Sequence, residues 1–199
     1  AASMTAAFEK GEPVTLPSAN TIADGTAVKR VGETIFPYCK ENIHKIITVD
    51  DNELIGAFLD MVENHKMIVE NSGLLPVAAL SHLDLKDKKA VVVLSGGNMD
   101  VITMSSIVQH GLIQKDRIFS VSVLLPDKAG ELVKVASIIA KEKGNVIKLE
   151  HNQFVSINRI NAVELRVTME AYGTEHKLSI LKALEEAGFE PKVVDTKLY

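Results

Sequence analysis

The patterning predicts two α/β halves: a layer of alternating strands and helices over residues 1–115, then a regular βαββαβ unit over 116–199. Three observations carry this. "KKAVVVLSGGN" is a short continuous apolar run stopped by glycines, the pattern of a strand covered on both faces, as in a parallel sheet packed between helices. "IFSVSVLL" and "NAVELRVTM" alternate apolar and polar residues, the pattern of strands with one face inward. Between the halves, "GLIQKDR" (Gly111 to Arg117) is polar and without period, which puts the domain boundary there.

Bulk properties bound the function. The 199 residues suffice for one large domain or two small ones, and 46% hydrophobic with 24% charged residues is ordinary globular composition. A net charge of −4 without a basic cluster argues against a nucleic-acid surface. No apolar stretch approaches the ~20 residues that span a bilayer. "AASMTAAFEK" lacks the charged head and apolar run of a secretion signal. The single cysteine, Cys39, can form neither an internal disulfide nor a structural zinc site, so a reduced, cytoplasmic setting is expected. "AASMTAAFEKGEP" opens at once in small and apolar residues without an obvious cap, as the interior of a longer chain would.

In the first half, His44–Val49 and Ala90–Leu94 are the strand candidates. "VDDNELIGAFLDMVENH" puts Leu54, Phe58, Met61 and Val62 on one helical face, and Asp50 with Glu53 reads as a capping box. "NSGLLPVAALSHL" reads as a nearly all-apolar, buried helix with Pro76 near its first turn. A further helix starts near Met99.

In the second half, Phe119, Val121, Val123 and Leu125 face one way and Ser120 and Ser122 the other. A helix follows from about Gly130, with Leu132, Val135, Ala136 and Ile139 on one face and Gly144 as the residue that closes it. "NVIKLEH" reads as a strand. Val163, Leu165, Val167 and Met169 then point inward and Glu164, Arg166 and Thr168 outward. "TEHKLSILKALEEAG" is a helix with Leu181 and Leu184 at its centre and Gly188 after it, and "FEPKVV" is a last strand that its proline assigns to an edge. The order is the split-βαβ, ferredoxin-like arrangement, with both helices on one face of an antiparallel sheet. The other face is solvated or meets a partner.

Several stretches are candidates for chemistry. At "LSGGN", glycines ending a buried strand let a ligand approach backbone, and Ser95 offers a hydroxyl; the same spacing also makes a tight turn into the next helix. "TIADGTAVKR" contains an Asp-Gly turn, and Glu70 reads as an acid at a helix start. "LPDKAGEL" is a strand–loop–helix junction whose opening amides suit a carboxylate, with Asn145 expected nearby, or it is ordinary loop chemistry. The six histidines form no HxH, HxxH or HExxH cluster, so no metal is expected, and neither a P-loop nor a GxSxG elbow is present.

Taken together, "TIADGTAVKRVGE", "VENSGLLPVAAL" and "VVVLSGGNMD" resemble the C-terminal part of the threonine ammonia-lyase family, pyridoxal phosphate enzymes of fold type II related to serine racemase. The stretch from Ile118 to Val194 resembles the ACT regulatory domain appended to the shorter members. The resemblance covers nearly the whole chain. Val31 stands where a proline is usual, and "ENSGL" where "EGAGA" is common.

The resemblance implies a partial fold type II catalytic domain followed by an ACT domain. It implies conversion of L-threonine to 2-oxobutanoate and ammonia by the intact enzyme. Ser95 is then the hydroxyl at the pyridine nitrogen, Glu70 lies beside the ring, Gly25 lines the pocket, and Gly96 and Gly97 keep backbone clear of the cofactor. The family's Schiff-base lysine, its substrate loop and its phosphate cup lie upstream of these motifs. A fragment is therefore expected, without a catalytic lysine, inactive alone and not holding pyridoxal phosphate by itself, with apolar surface exposed in its first half and association through it. The ACT resemblance implies homo-oligomers and a small amino-acid effector contacted by Asp127, Ala129, Gly130, Leu132, Asn145 and Ile147. The alternatives are a stand-alone amino-acid sensor without catalysis and part of a related L-serine dehydratase.

Overall fold

The computed structural model describes residues 1–153 and 163–196. It parts into two compact units, Ala1–Gly111 and Leu112–Tyr199. The division falls within helix α5, Val101–Gln114.

Unit 1 is helical. α1 (Ser3–Lys10) has no side-chain cap and closes at Gly11, whose φ of 81° and amide bond to the Ala7 carbonyl (2.8 Å) end the turn. The sequence reading has no helix here, nor at α2 (Ile35–Asn42); the residues before them, Ala2 and Thr34, make no side-chain cap. α3 (Asp51–Asp60) has the expected capping box: Asp50 Oδ1 accepts from the Glu53 amide at 2.8 Å, and Glu53 Oε2 from the Asp50 amide at 2.7 Å. Of its expected inner face, Leu54, Phe58 and Met61 are buried and Val62 is half-buried. With Val69, Leu74 and Ile107 they form the core of this unit. "NSGLLPVAALSH" is helical, but as a 3-10 turn (Asn71–Leu74), the short α4 (Leu75–Ala78) with Pro76 in its first positions, and a second 3-10 turn (Ala79–His82). α5 opens on Asp100, which accepts from the Thr103 amide and hydroxyl, both at 2.8 Å.

The strands expected in this half are not formed. Residues 43–50 are irregular, and the run Ala90–Leu94 joins no ladder. Among the described residues the unit's one bridge is Thr15 to Arg30. Val91 is 93% and Val93 75% exposed, against an expectation of burial on both faces. The reason is physical: an apolar run becomes a buried strand only where a neighbour pairs its backbone and layers cover it, and unit 1 supplies cover on one side, through Leu94. The expected exposure of apolar surface is present.

Unit 2 has the βαββαβ order: β1 (Ile118–Leu125), α6 (Glu131–Lys141), β2 (Asn145–Asn152), β3 (Val163–Glu170), α7 (Thr174–Glu186) and β4 (Lys192–Val194). The sheet is antiparallel, in the order β2-β3-β1-β4, so the proline-led β4 is an edge as expected. Phe119, Val121, Val123 and Leu125 from β1 and Val163, Leu165, Val167 and Met169 from β3 are buried against Val135, Ile139, Ile180 and Leu184 from the helices. Asn161 and Ala162, read as the start of β3, lie outside the described residues.

Two readings change. The polar sheet face is not open at its centre: Ser120 and Thr168 are buried, and their hydroxyls, directly opposite in register, bond each other at 2.7 Å. And α6 is closed by Lys143 (φ 65°), not by Gly144. The Lys143 amide bonds the Ala140 carbonyl (3.0 Å) and the Gly144 amide the Ile139 carbonyl (2.9 Å), a Schellman motif with lysine at the left-handed position. Gly144 is small for another reason, since a side chain there would crowd Ile139 and Ile180, at 2.8 and 3.1 Å from its first carbon.

Candidate functional site

Three loops distant in sequence converge in unit 1. The first runs from Thr21 to Thr26. Its start is tied to the N-terminus of α3, where the Thr21 hydroxyl donates to Asp51 Oδ1 (2.6 Å) and the Ile22 amide to Oδ2 (3.2 Å). Its end is the Asp-Gly turn read from the sequence, a 3-10 turn over Asp24–Thr26 with the Gly25 amide on Asp24 Oδ1 at 2.9 Å. The second loop, Glu70 to Leu74, is joined to the first by buried Asn71, whose Nδ2 donates to the Ile22 carbonyl at 2.9 Å. The third, Ser95 to Gly97, follows Leu94, which packs on the core.

Small residues let these loops touch. A side chain on Gly73 would overlap the Ser95 carbonyl, and one on Gly96 would overlap the Glu70 carboxyl group. Gly96 is also left-handed, at φ 77°, where glycine alone is unstrained. The Glu70 amide donates to the Gly96 carbonyl at 3.3 Å. The position a Gly25 side chain would take lies 2.7 Å from Ser72 Oγ and 3.7 Å from Glu70 Oε1.

The structure therefore brings together Gly25, Glu70, Ser95 and Gly96. Gly97 stands apart, with nothing within 4 Å of where its side chain would begin. Ser95 is exposed. Asn71, Ser72 and Gly73 were missed as site residues. The departure "ENSGL" was their signal, since it adds a buried amide and a hydroxyl.

In unit 2 the effector candidates are not gathered. Asp127, Ala129 and Gly130 are exposed in the loop after β1, and Gly130 (φ 94°) precedes α6 without a side-chain cap. Leu132 packs on the core. That loop leaves the end of the sheet where Leu125 pairs with Val163. Asn145 lies at the other end, in the row Ile118, Glu170, Asn145, and donates to Glu170 Oε2 at 2.8 Å. The length of β1 puts the two ends roughly 20 Å apart. Ile147 is 45% exposed at the register shift between Val146 and Lys148. The expectation that Asn145 adjoins the loop fails because β1 and β2 run parallel across β3, so the start of β2 lies beside the start of β1. Each end has its own cavity. One of about 650 Å³ is lined by Leu124, Pro126, Glu131, Lys134 and Phe189, and one of about 240 Å³ by Arg117, Lys143, Asn145, Glu170 and Tyr172.

Comparison with known proteins bears on the first site. Residues 1–96 match the family model described as "Pyridoxal-phosphate dependent enzyme". The chain is 34% identical over 184 residues to an L-threonine ammonia-lyase of Geobacter sulfurreducens, covering 92% of this chain and 46% of that protein. It is 31% identical over 193 residues to an L-threonine ammonia-lyase of Thermotoga maritima, covering 96% and 48%. Among solved structures, the processed form of threonine deaminase isoform 2 from Solanum lycopersicum superposes with a TM-score of 0.50 at 30% identity, over 55% of this chain and 31% of that one. The chain spans about half the length of the curated relatives it matches. The matched stretch holds all three converging loops apart from Gly97, and over residues 1–96 the chain is similar to the pyridoxal-phosphate dependent enzymes.

Proposed function

We propose that this sequence is the stretch of a threonine ammonia-lyase, converting L-threonine to 2-oxobutanoate and ammonia, that supplies one wall of the cofactor site. The observation that carries the reading is the convergence of Gly25, Glu70 and Ser95–Gly96 in a family whose cofactor is a flat aromatic ring. The residues present fit that group, because glycines keep side chains out of the space between the loops.

Pyridoxal phosphate, when bound, supplies the electron sink that makes the α-proton of an amino acid removable. The chain's own part is to hold and polarise. Ser95 presents a neutral hydroxyl for the pyridine nitrogen. A hydroxyl would bond that nitrogen without fixing a proton on it, whereas a carboxylate would fix one. Glu70, whose carboxyl group lies against Gly96, would stand beside the ring, and Gly25, Gly96 and Gly97 would keep side chains away from it. The exposure of Ser95 fits a wall that faces the rest of a site.

The 199-residue chain alone is expected to release no 2-oxobutanoate from L-threonine with added pyridoxal phosphate. In the enzyme that contains this stretch, Ser95→Ala is expected to lower kcat/KM for L-threonine by roughly twofold to tenfold, the loss of one hydrogen bond between neutral groups. Unchanged kcat/KM overturns the role of Ser95, and a higher kcat/KM for L-serine than for L-threonine identifies a serine dehydratase.

We propose further that residues 118–194 are an ACT regulatory domain that takes an amino-acid effector. The βαββαβ order supports this. Because Asp127 to Gly130 and Asn145 lie at opposite ends of one sheet, a ligand touching both requires a second copy of the unit. Calorimetry with isoleucine, valine and threonine tests it. Heat with one of them supports the sensor, and none with any of the three counts against it.

A further inference from the structure

Ser72 carries a hydroxyl that nothing in the fold uses. Its Oγ is buried and has no hydrogen-bond partner among the described residues. Burying an unpaired hydroxyl is unfavourable, and native structures keep few such groups. Its surroundings show what it lacks. The position of a Gly25 side chain is 2.7 Å from Ser72 Oγ and 3.7 Å from Glu70 Oε1, so both oxygens lie within 4 Å of one point. The Glu70 carboxylate, which presses on Gly96, accepts no hydrogen bond from the described residues. An unpaired donor and an unpaired acceptor thus flank the same glycine.

We propose that Ser72 is a positioning residue: its hydroxyl donates to the Glu70 carboxylate and fixes that carboxylate over Gly96, beside Ser95. Side-chain rotation about Gly25 brings the pair together, and the missing side chain at Gly25 is what leaves room for it. Serine can donate here and alanine cannot. The proposal rests on the cofactor reading only for what the wall serves, because the bond itself lies wholly within the chain.

The test is ¹³C NMR of the Glu70 side-chain carboxyl in the 199-residue chain and in Ser72→Ala and Ser72→Thr. The readout is the carboxyl resonance at about pH 7: loss of a hydrogen bond moves it, so Ser72→Ala is expected to displace it and Ser72→Thr to restore it. No displacement in Ser72→Ala, or an equal one in Ser72→Thr, overturns the proposal. Should the amide spectrum of Ser72→Ala collapse, Ser72→Cys, close in size but a weak donor, is read in its place with the same expected displacement. Failure of the cofactor reading shows in a different measurement, unchanged kcat/KM for Ser95→Ala in the enzyme that contains this stretch, so the two failures are distinguishable.

Discussion

Two adjacent glycines, Gly96 and Gly97, look alike in the sequence and do different work. Gly96 is left-handed and faces the Glu70 carboxyl group, whereas Gly97 meets nothing. Gly96→Ala is therefore expected to destabilise unit 1 by at least about 1 kcal/mol for the left-handed backbone, and by more for the clash that displaces Glu70. Gly97→Ala is expected to fall within about 0.5 kcal/mol of wild type, as surface changes do. Denaturant midpoints of the two variants check this, and equal losses would refute the distinction. The types of the site residues were legible from the motifs: Gly25, Glu70, Ser95 and Gly96 do come together. What each one touches was not, because it depends on how loops 21–26, 70–74 and 95–97 pair through Asp51 and Asn71. For the same reason the effector set separated, since sequence order does not say which ends of two strands lie side by side.

At the scale of the element, helix ends carry the clearest signals. Both helices of unit 2 end in Schellman motifs, α7 with Gly188 at the left-handed position (φ 85°) and α6 with Lys143 (φ 65°). Lys143→Gly is expected to raise the stability of unit 2 by about 1 kcal/mol and Gly188→Ala to lower it by about as much, read as opposite shifts in Tm. The start of α7 is pinned by Asp116, which accepts from Lys177 Nζ at 2.7 Å and from the Thr174 hydroxyl at 2.8 Å. The Lys177 hydrogen bond, above all, holds the Asp116 carboxyl below its ordinary value of 3.8. A carboxylate depressed on folding stabilises above its unfolded value, and that stabilisation is lost as pH falls through the folded one. Asp116→Asn is thus expected to destabilise unit 2 at pH 7 and to matter progressively less below about pH 4, in urea melts at both ends of that range. The capping box of α3 and the alternation of β1 and β3 were legible because each is a local pattern with a local cause. α1 and α2 are short and have no side-chain cap, and went unread.

Across the whole chain the two units differ in how far they satisfy themselves. Unit 2 buries both inner strands against two helices and pairs its polar centre through Ser120 and Thr168. Unit 1 leaves an extended apolar segment whose Val91 and Val93 share one open side, followed by exposed Val101 and Ile102 on the first turn of α5. The sequence marked that segment as a strand because its composition is that of one. The pairing that would make it a strand has to come from a neighbour, and no described residue of unit 1 provides it. An unpaired backbone edge joined to exposed valines is a template for another chain. The wild-type chain is therefore expected to self-associate through this segment, and Val91→Lys with Val93→Lys to weaken that association at least tenfold while Tm stays unchanged, because both side chains are already in water. Sedimentation equilibrium over a hundredfold range of concentration decides it. A wild-type chain that stays monomeric refutes the expectation outright. Association that persists unchanged in the double variant would move the contact to unit 2, whose edge strands β2, with Val146, Ile147 and Leu149 exposed, and β4, with Val193 exposed, are surfaces of the same kind.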